Sequence, residues 1–121
     1  MKELVSIICP TYNEELFIAA CIESILAQDF PIDHIEFLIV DGMSTDETRS
    51  IIKQYVLKYS CIQLLDNIYK VTPNALNIGV KNSKGNVIVR IDGHCTYPPN
   101  YISTLVRCLF EIGRASCRER V

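Results

Sequence analysis

No apolar run in this sequence approaches the ~20 residues that a helical membrane span needs. Neither sign of charge dominates: the 121 residues carry a formal net charge of −2, with acids and bases mixed along the chain. That balance lacks the electrostatic footprint of nucleic-acid binding, and no nucleic-acid partner is expected. Internal repeats and low-complexity segments are missing too. The six cysteines (Cys9, Cys21, Cys61, Cys95, Cys108 and Cys117) include no CxxC pair. No signal-peptide pattern precedes the first strand, because Met1-Lys2-Glu3 leads straight into apolar residues. The cysteines are therefore read as reduced thiols, and a cytoplasmic location is expected. The turn after the first strand, Cys9 to Glu14, has no glycine at all. It carries neither the GxGxxG of a dinucleotide-binding dehydrogenase nor the Gly-rich, Arg/Lys-bearing loop of a nucleotidyltransferase.

The sequence does contain strands and helices in regular alternation. Residues 4–9, 35–40, 62–65 and 87–91 are apolar runs of strand length, rich in β-branched side chains. Between the first two, Asn13 is placed as an N-cap with Glu14 and Glu15 in the first turn. Ile18, Ile22, Ile25 and Leu26 then follow at helical spacing, predicting a helix to about residue 28. Ser44 and Glu47 match a capping box for a second helix, with Ile51, Ile52, Tyr55, Val56 and Tyr59 on one face. Thr72 and Pro73 read as N-cap and N1 of a third helix through about residue 80. Tyr101, Leu105, Val106 and Leu109 predict a fourth. The alternation argues for one α/β domain over residues 1–110, with a mostly parallel, Rossmann-like sheet flanked by helices.

Residues 111–121 have no strand pattern and crowd three arginines into the last eight positions. They are read as a non-native or disordered tail and set aside.

Three strand ends carry the polar residues: Thr11 to Glu14, Asp41 to Ser44, and Asp92 to His94. In a doubly wound sheet such ends converge on one rim, where ligands bind. Taken singly, each has a plain structural explanation as a helix cap or a turn. Asp92 and His94, two apart at the end of a buried strand, are both able to ligate a divalent cation.

Together these segments form a pattern. Residues 6–14 (SIICPTYNE), 39–48 (IVDGMSTDET), 75–79 (ALNIG) and 90–94 (RIDGH) resemble the family 2 glycosyltransferases, over about residues 4–110. The form of residues 90–99 is most similar to that of bacterial exopolysaccharide enzymes of the succinoglycan type. The resemblance implies the GT-A nucleotide-sugar fold, here its nucleotide-binding half. It implies a UDP-sugar donor and a glycan or lipid-linked acceptor, with a longer parent that meets the membrane on its cytoplasmic face.

It also implies roles for particular residues. Pro10, Thr11, Tyr12 and Glu14 would hold the base and ribose, and Asp41 would accept the uracil imide N–H. Asn77 and Gly79 would lie near the sugar and phosphates, with an exposed helix position as the alternative for Asn77. Asp92 and His94 take the place of the family's Asp-x-Asp motif. Imidazole in the second position suits Mn²⁺ better than strongly hydrated Mg²⁺. Lys70 and Arg90 are candidates to touch the diphosphate. Arg90 also suits a structural ion pair, and Cys95 beside the motif is read as packing.

No residue before Glu111 stands out as the acceptor-side base that inverting members need. The expectation is therefore donor binding with poor or absent transfer. Later strands of the sheet are also expected to be missing, giving an open edge, marginal stability or self-association through that edge.

Overall fold

A computed structural model describes residues 4–111, together with the backbone of residues 119–120. Five strands form one parallel sheet: β1 (Val5–Thr11), β2 (Ile35–Asp41), β3 (Ile62–Asp66), β4 (Val87–Arg90) and β5 (Glu119–Arg120). Their spatial order is β3-β2-β1-β4-β5. The chain winds outward from β1 to β3 and then crosses back to place β4 on the other side of β1. The point of reversal lies between β1 and β4, and α/β sheets bind their ligands outside the carboxyl ends of the strands at such a point.

The core explains the apolar runs. Val5, Ile7 and Cys9 of β1 and Phe37 and Ile39 of β2 pack beneath α1 (Ile18–Leu26), α2 (Thr48–Lys58) and α4 (Tyr101–Glu111). Ile8, Val40 and Ile88 point to the opposite face and meet α3 (Thr72–Asn82). Strands buried on both faces need apolar residues at nearly every position, so the runs are continuous rather than alternating. Gly79 of α3 sits directly on Ile8, where a Cβ would approach the Ile8 Cγ2 to 2.5 Å.

Pro10 lies within β1 rather than ending it. It has the parity of Ile8, whose carbonyl accepts from Ile91 N, so its missing N–H would face β4. The ladder between β1 and β4 has already stopped at Ile8 and Arg90, and no sheet bond is lost.

The first two helices start differently from the prediction, for a common reason. Asn13 is not an N-cap: it adopts φ 50°, and its Oδ1 accepts from Thr45 N at 2.9 Å in the neighbouring loop. Glu15 likewise serves the next helix, accepting from Glu47 N at 3.0 Å. The capping box at Ser44 and Glu47 does not form, because α2 starts at Thr48 and Ser44 turns back to Asp41. Thr72 is already within α3, whose N-cap is Val71. Asn13, Glu15 and Ser44 thus satisfy the facing loop instead of capping their own helices.

Gln28, beyond the end of α1, crosses to α4. It donates to Pro98 O at 2.7 Å and accepts from Ile102 N at 2.9 Å.

The expectation of a non-native or disordered tail concerns residues outside those described, apart from Glu111 and the backbone of 119–120. That backbone pairs with Val87 and Ile88. A two-residue strand carries no periodicity for a sequence pattern to reveal.

Two outcomes test this packing. Gly79→Ala should lower the unfolding free energy by about 1–3 kcal/mol through overpacking against Ile8, measured by urea denaturation. Tyr55 donates to Glu23 Oε2 at 2.7 Å, tying α2 to α1. Burial, and then the Glu23 carboxylate, push its phenol from 10 up to about 12. The unfolded chain ionises first, so this stabilisation is complete below pH 10 and is lost as pH rises from 10 to 12. Melting temperatures of Tyr55→Phe should fall less steeply than those of the parent chain across that window.

Candidate donor-binding site

A cavity of about 320 Å³ opens at the carboxyl ends of β1 and β4. Pro10, Thr11, Tyr12 and Glu14 form one wall, and Arg90, Asp92, Gly93 and His94 form the facing one. The loop from β3 to α3 closes the third side with Asn67, Lys70 and Val71, joined by Thr72 at the start of α3. Eight of the residues singled out in the sequence, Pro10, Thr11, Tyr12, Glu14, Lys70, Arg90, Asp92 and His94, thus share one concave surface.

The backbone of Asp92 is gripped on both polar groups. Its N–H donates to the Tyr97 hydroxyl oxygen at 2.9 Å, and its carbonyl accepts from Cys95 N at 3.3 Å. The Cys21 thiol also reaches that carbonyl, at 3.5 Å. Tyr97 stacks at a tilt on Tyr101, and burial pushes its phenol well above the ordinary range. Gly93 lets this turn approach β1: a Cβ there would come within 2.9 Å of Thr11 Cγ2 and 3.3 Å of Glu14 Oε2. The close approach brings His94 Nδ1 to 3.3 Å from Glu14 Oε2. With Nδ1–H directed at that carboxylate, Nε2 is the nitrogen available for a cation.

The cavity is bordered by two cations. Lys70, at φ 66°, holds its Nζ 5.7 Å from the Tyr12 ring centroid. Arg90 sits 3.4 Å from Asp92 Oδ1, with both side chains about half exposed. A pair so open to water contributes little to stability and leaves Arg90 able to turn toward an anion.

Asp41, assigned to the uracil imide by resemblance, is absent from the cavity lining. It is fully buried behind the cavity wall. Oδ1 accepts from Thr11 Oγ1 at 2.8 Å and Ser44 Oγ at 2.6 Å. Oδ2 accepts from Ser44 N at 2.8 Å and Arg49 Nη1 at 3.1 Å. A carboxylate has about four acceptor directions, and all are filled. Arg49 also binds Asp66 at 2.6 Å, and Asp66 and then Asp41 raise its already high pKa.

Asn77 and Gly79 are not brought to the cavity. Asn77 lies on an exposed face of α3 beside Asn74 and Ile78, and Gly79 is buried against Ile8.

Sequence reasoning missed Asn67, Arg49 and Thr72. Asn67 is buried and shapes the β3–α3 loop, donating from its backbone to Asp41 O at 2.8 Å and from Nδ2 to Val71 O at 3.0 Å. Asp66-Asn67 is a fourth polar strand end, the same signal that marked the other three.

A metal fits the donor set. The ligand atoms of Asp92, His94 and Cys95 lie within 4.8 Å of one another, supplying oxygen, nitrogen and sulfur.

A doubly wound sheet with a polar cavity at its switch point defines an α/β ligand-binding domain. Residues 6–117 match the model for glycosyl transferase family 2, and the chain belongs to that family. It is 38% identical over 96 residues to the dolichyl N-acetyl-alpha-D-glucosaminyl phosphate 3-beta-D-2,3-diacetamido-2,3-dideoxy-beta-D-glucuronosyltransferase of Methanococcus voltae, covering 78% of this chain and 30% of that one. Over 88 residues it is 32% identical to the poly(ribitol-phosphate) beta-N-acetylglucosaminyltransferase TarS of Staphylococcus aureus, covering 72% of this chain and 15% of that one. The solved structure of TarS 1–349 with UDP-GlcNAc superposes with a TM-score of 0.79 at 26% identity, covering 92% of this chain and 32% of that one. The mannosyltransferase PcManGT of Pyrobaculum calidifontis, solved with GDP-Man and Mn²⁺, gives 0.83 at 27% identity, covering 90% and 33%. The fold is thus the GT-A type, and the chain spans about a third or less of the length of these relatives.

The Asp41 cluster should dominate local stability. Asp41→Asn, which sets an amide among four donors, should cost about 3 kcal/mol in urea unfolding. Ser44→Ala removes one donor to Asp41 and one acceptor for Asn13 N, and should cost about 1–2 kcal/mol.

Proposed function

We propose that this chain is the donor-binding part of a glycosyltransferase that moves a sugar from a UDP-sugar to a glycan or lipid-linked acceptor. The observation that carries the reading is the convergence of Tyr12, Glu14, Lys70, Arg90, Asp92 and His94 on one cavity at the β1/β4 switch point. Pro10 and Tyr12 offer apolar surface to a base and ribose. Lys70 and Arg90 complement the charge of a diphosphate. Asp92 and His94 would hold a divalent cation, with Mn²⁺ favoured over Mg²⁺ because imidazole suits the softer ion. Such a cation, when bound, neutralises charge on a departing nucleoside diphosphate.

Glu14 orients the His94 ring. Asp41 acts first as the anchor that holds Thr11 and Ser44 in place. Direct imide recognition there requires Ser44 or Arg49 to release its bond.

The two carboxylates in the cavity are already engaged, Glu14 with His94 and Asp92 with Arg90. In this reading Glu14 orients the His94 ring and Asp92 is a ligand of the cation, so neither serves as the acceptor-side base, and the proposal is donor binding without efficient transfer by these 121 residues. The form of residues 90–99 supports exopolysaccharide synthesis as the setting. Among the described residues no helix is long and apolar enough to cross a membrane. By family resemblance, the proposal also places the domain in the cytoplasm, with a longer parent meeting lipid-linked acceptors at the membrane's cytoplasmic face. Self-association belongs to the same proposal, because β5 covers only Val87 and Ile88 of β4.

Calorimetry with UDP tests the reading. Binding should be strongest with Mn²⁺, and Asp92→Ala or His94→Ala should weaken it at least about tenfold, the loss of about 1.4 kcal/mol or more. Absence of UDP binding with and without metal would contradict the donor site. Efficient sugar transfer by the purified chain would contradict the restriction to binding.

A further inference from the structure

The turn that follows β4 brings a third ligand-type atom to the cation site. The Cys95 N–H bond to Asp92 O closes residues 92–95 into one tight turn, which returns the chain on itself. As a result Cys95 Sγ, a carboxylate oxygen of Asp92 and a ring nitrogen of His94 all lie within 4.8 Å of one another. Cys95 is a half-buried free thiol. The backbone of the turn is pinned by Tyr97 and Cys21, whereas the Asp92 and His94 side chains are about half exposed and held only by their solvent-open pairs with Arg90 and Glu14. Donor atoms around one four-coordinate ion stand about 3.3–3.8 Å apart, so side-chain rotations of about 1 Å close the set without moving the backbone.

We propose that Cys95 Sγ is a third protein ligand of this cation site, which therefore prefers a thiophilic ion of the zinc class, Zn²⁺ or Co²⁺, over Mg²⁺. The proposal rests on the donor-site reading and adds a ligand to it. Oxygen, imidazole and thiolate together form a donor set that hard Mg²⁺ disfavours and zinc-class ions accept. Three protein ligands leave one position open in a four-coordinate shell, the arrangement of sites that take an exogenous oxygen. Glu14 completes the surroundings as the carboxylate partner of the His94 ring, a common orienting device for metal-bound histidine. Ligation exchanges the S–H bond for a sulfur–metal bond and releases one proton to the buffer.

Titration of the full 121-residue chain with Co²⁺ tests this directly. A sulfur-to-cobalt charge-transfer band should grow in the near ultraviolet and should be missing from Cys95→Ser and Cys95→Ala. Zn²⁺ affinity, measured by competition, should fall at least about tenfold in both variants, a loss of about 1.4 kcal/mol or more. Mn²⁺ affinity should change less than about threefold, because Mn²⁺ gains less from sulfur. Co²⁺ binding without the band would overturn the proposal, as would a band that survives both substitutions and so belongs to another thiol. UDP binding that depends on Mn²⁺, together with no sulfur band, overturns the third ligand alone. Failure to bind any divalent cation, with or without UDP, overturns the donor-site metal and this ligand together.

Discussion

Asp41 accepts four hydrogen bonds at the place where the parallel strands end. Removing a carboxylate from water costs several kcal/mol unless charged and polar donors replace the lost hydration. Here Thr11 arrives from β1, Ser44 from the β2–α2 loop and Arg49 from α2, which also reaches Asp66 at the end of β3. One buried charge thus sets the relative positions of the loops that form the cavity. The rim also contains Asn13, Met43 and Lys70, the non-glycine residues with positive φ among those described. Each belongs to a different loop at the same end of the sheet. Such conformations persist only where surrounding contacts over-determine them, and the Asp41 cluster together with the Asn67 bonds provides those contacts.

The opposite end of the sheet is held in a similar way. Glu36 is a second buried carboxylate, accepting from Ser6 Oγ at 2.7 Å and Lys84 N at 2.8 Å. Gly85 donates to Ser6 Oγ at 2.8 Å and has no room for a side chain, since a Cβ would approach Leu4 O to 2.6 Å. This clamp fixes where β4 begins beside β1. The Asp41 cluster fixes where β1 and β2 end. The length and register of the central strands follow from the two together, and so does the position of Asp92.

Much of this was legible in the amino-acid sequence, because strands buried on both faces leave long apolar runs and the polar strand ends punctuate them. The parallel sheet, the four helices and the convergence of residues 10–14 with 92–94 all follow from that pattern. The starts of the first two helices were not legible. Asn13, Glu15 and Ser44 have the chemistry of caps, but the backbone N–H groups they accept from lie 31 or 32 residues away in the facing loop, beyond any local rule. Glu36 is a single polar residue in the apolar run of β2, and only the three-dimensional structure shows what it binds. Asn77 and Gly79 look alike as members of a motif. Helical geometry separates them, sending Asn77 outward and Gly79 into the sheet.

A nucleotide and its cation at the β1/β4 switch point is the claim on which the functional account turns. Amide NMR spectra of the chain with UDP, before and after addition of paramagnetic Mn²⁺, test it most directly. Signals of residues 92–95, Tyr12, Glu14 and Lys70 should shift with UDP, and those nearest Asp92 and His94 should broaden first with Mn²⁺. Perturbation centred instead on the cavity formed by Ile32, Asp33, Lys58 and Cys61 would contradict it.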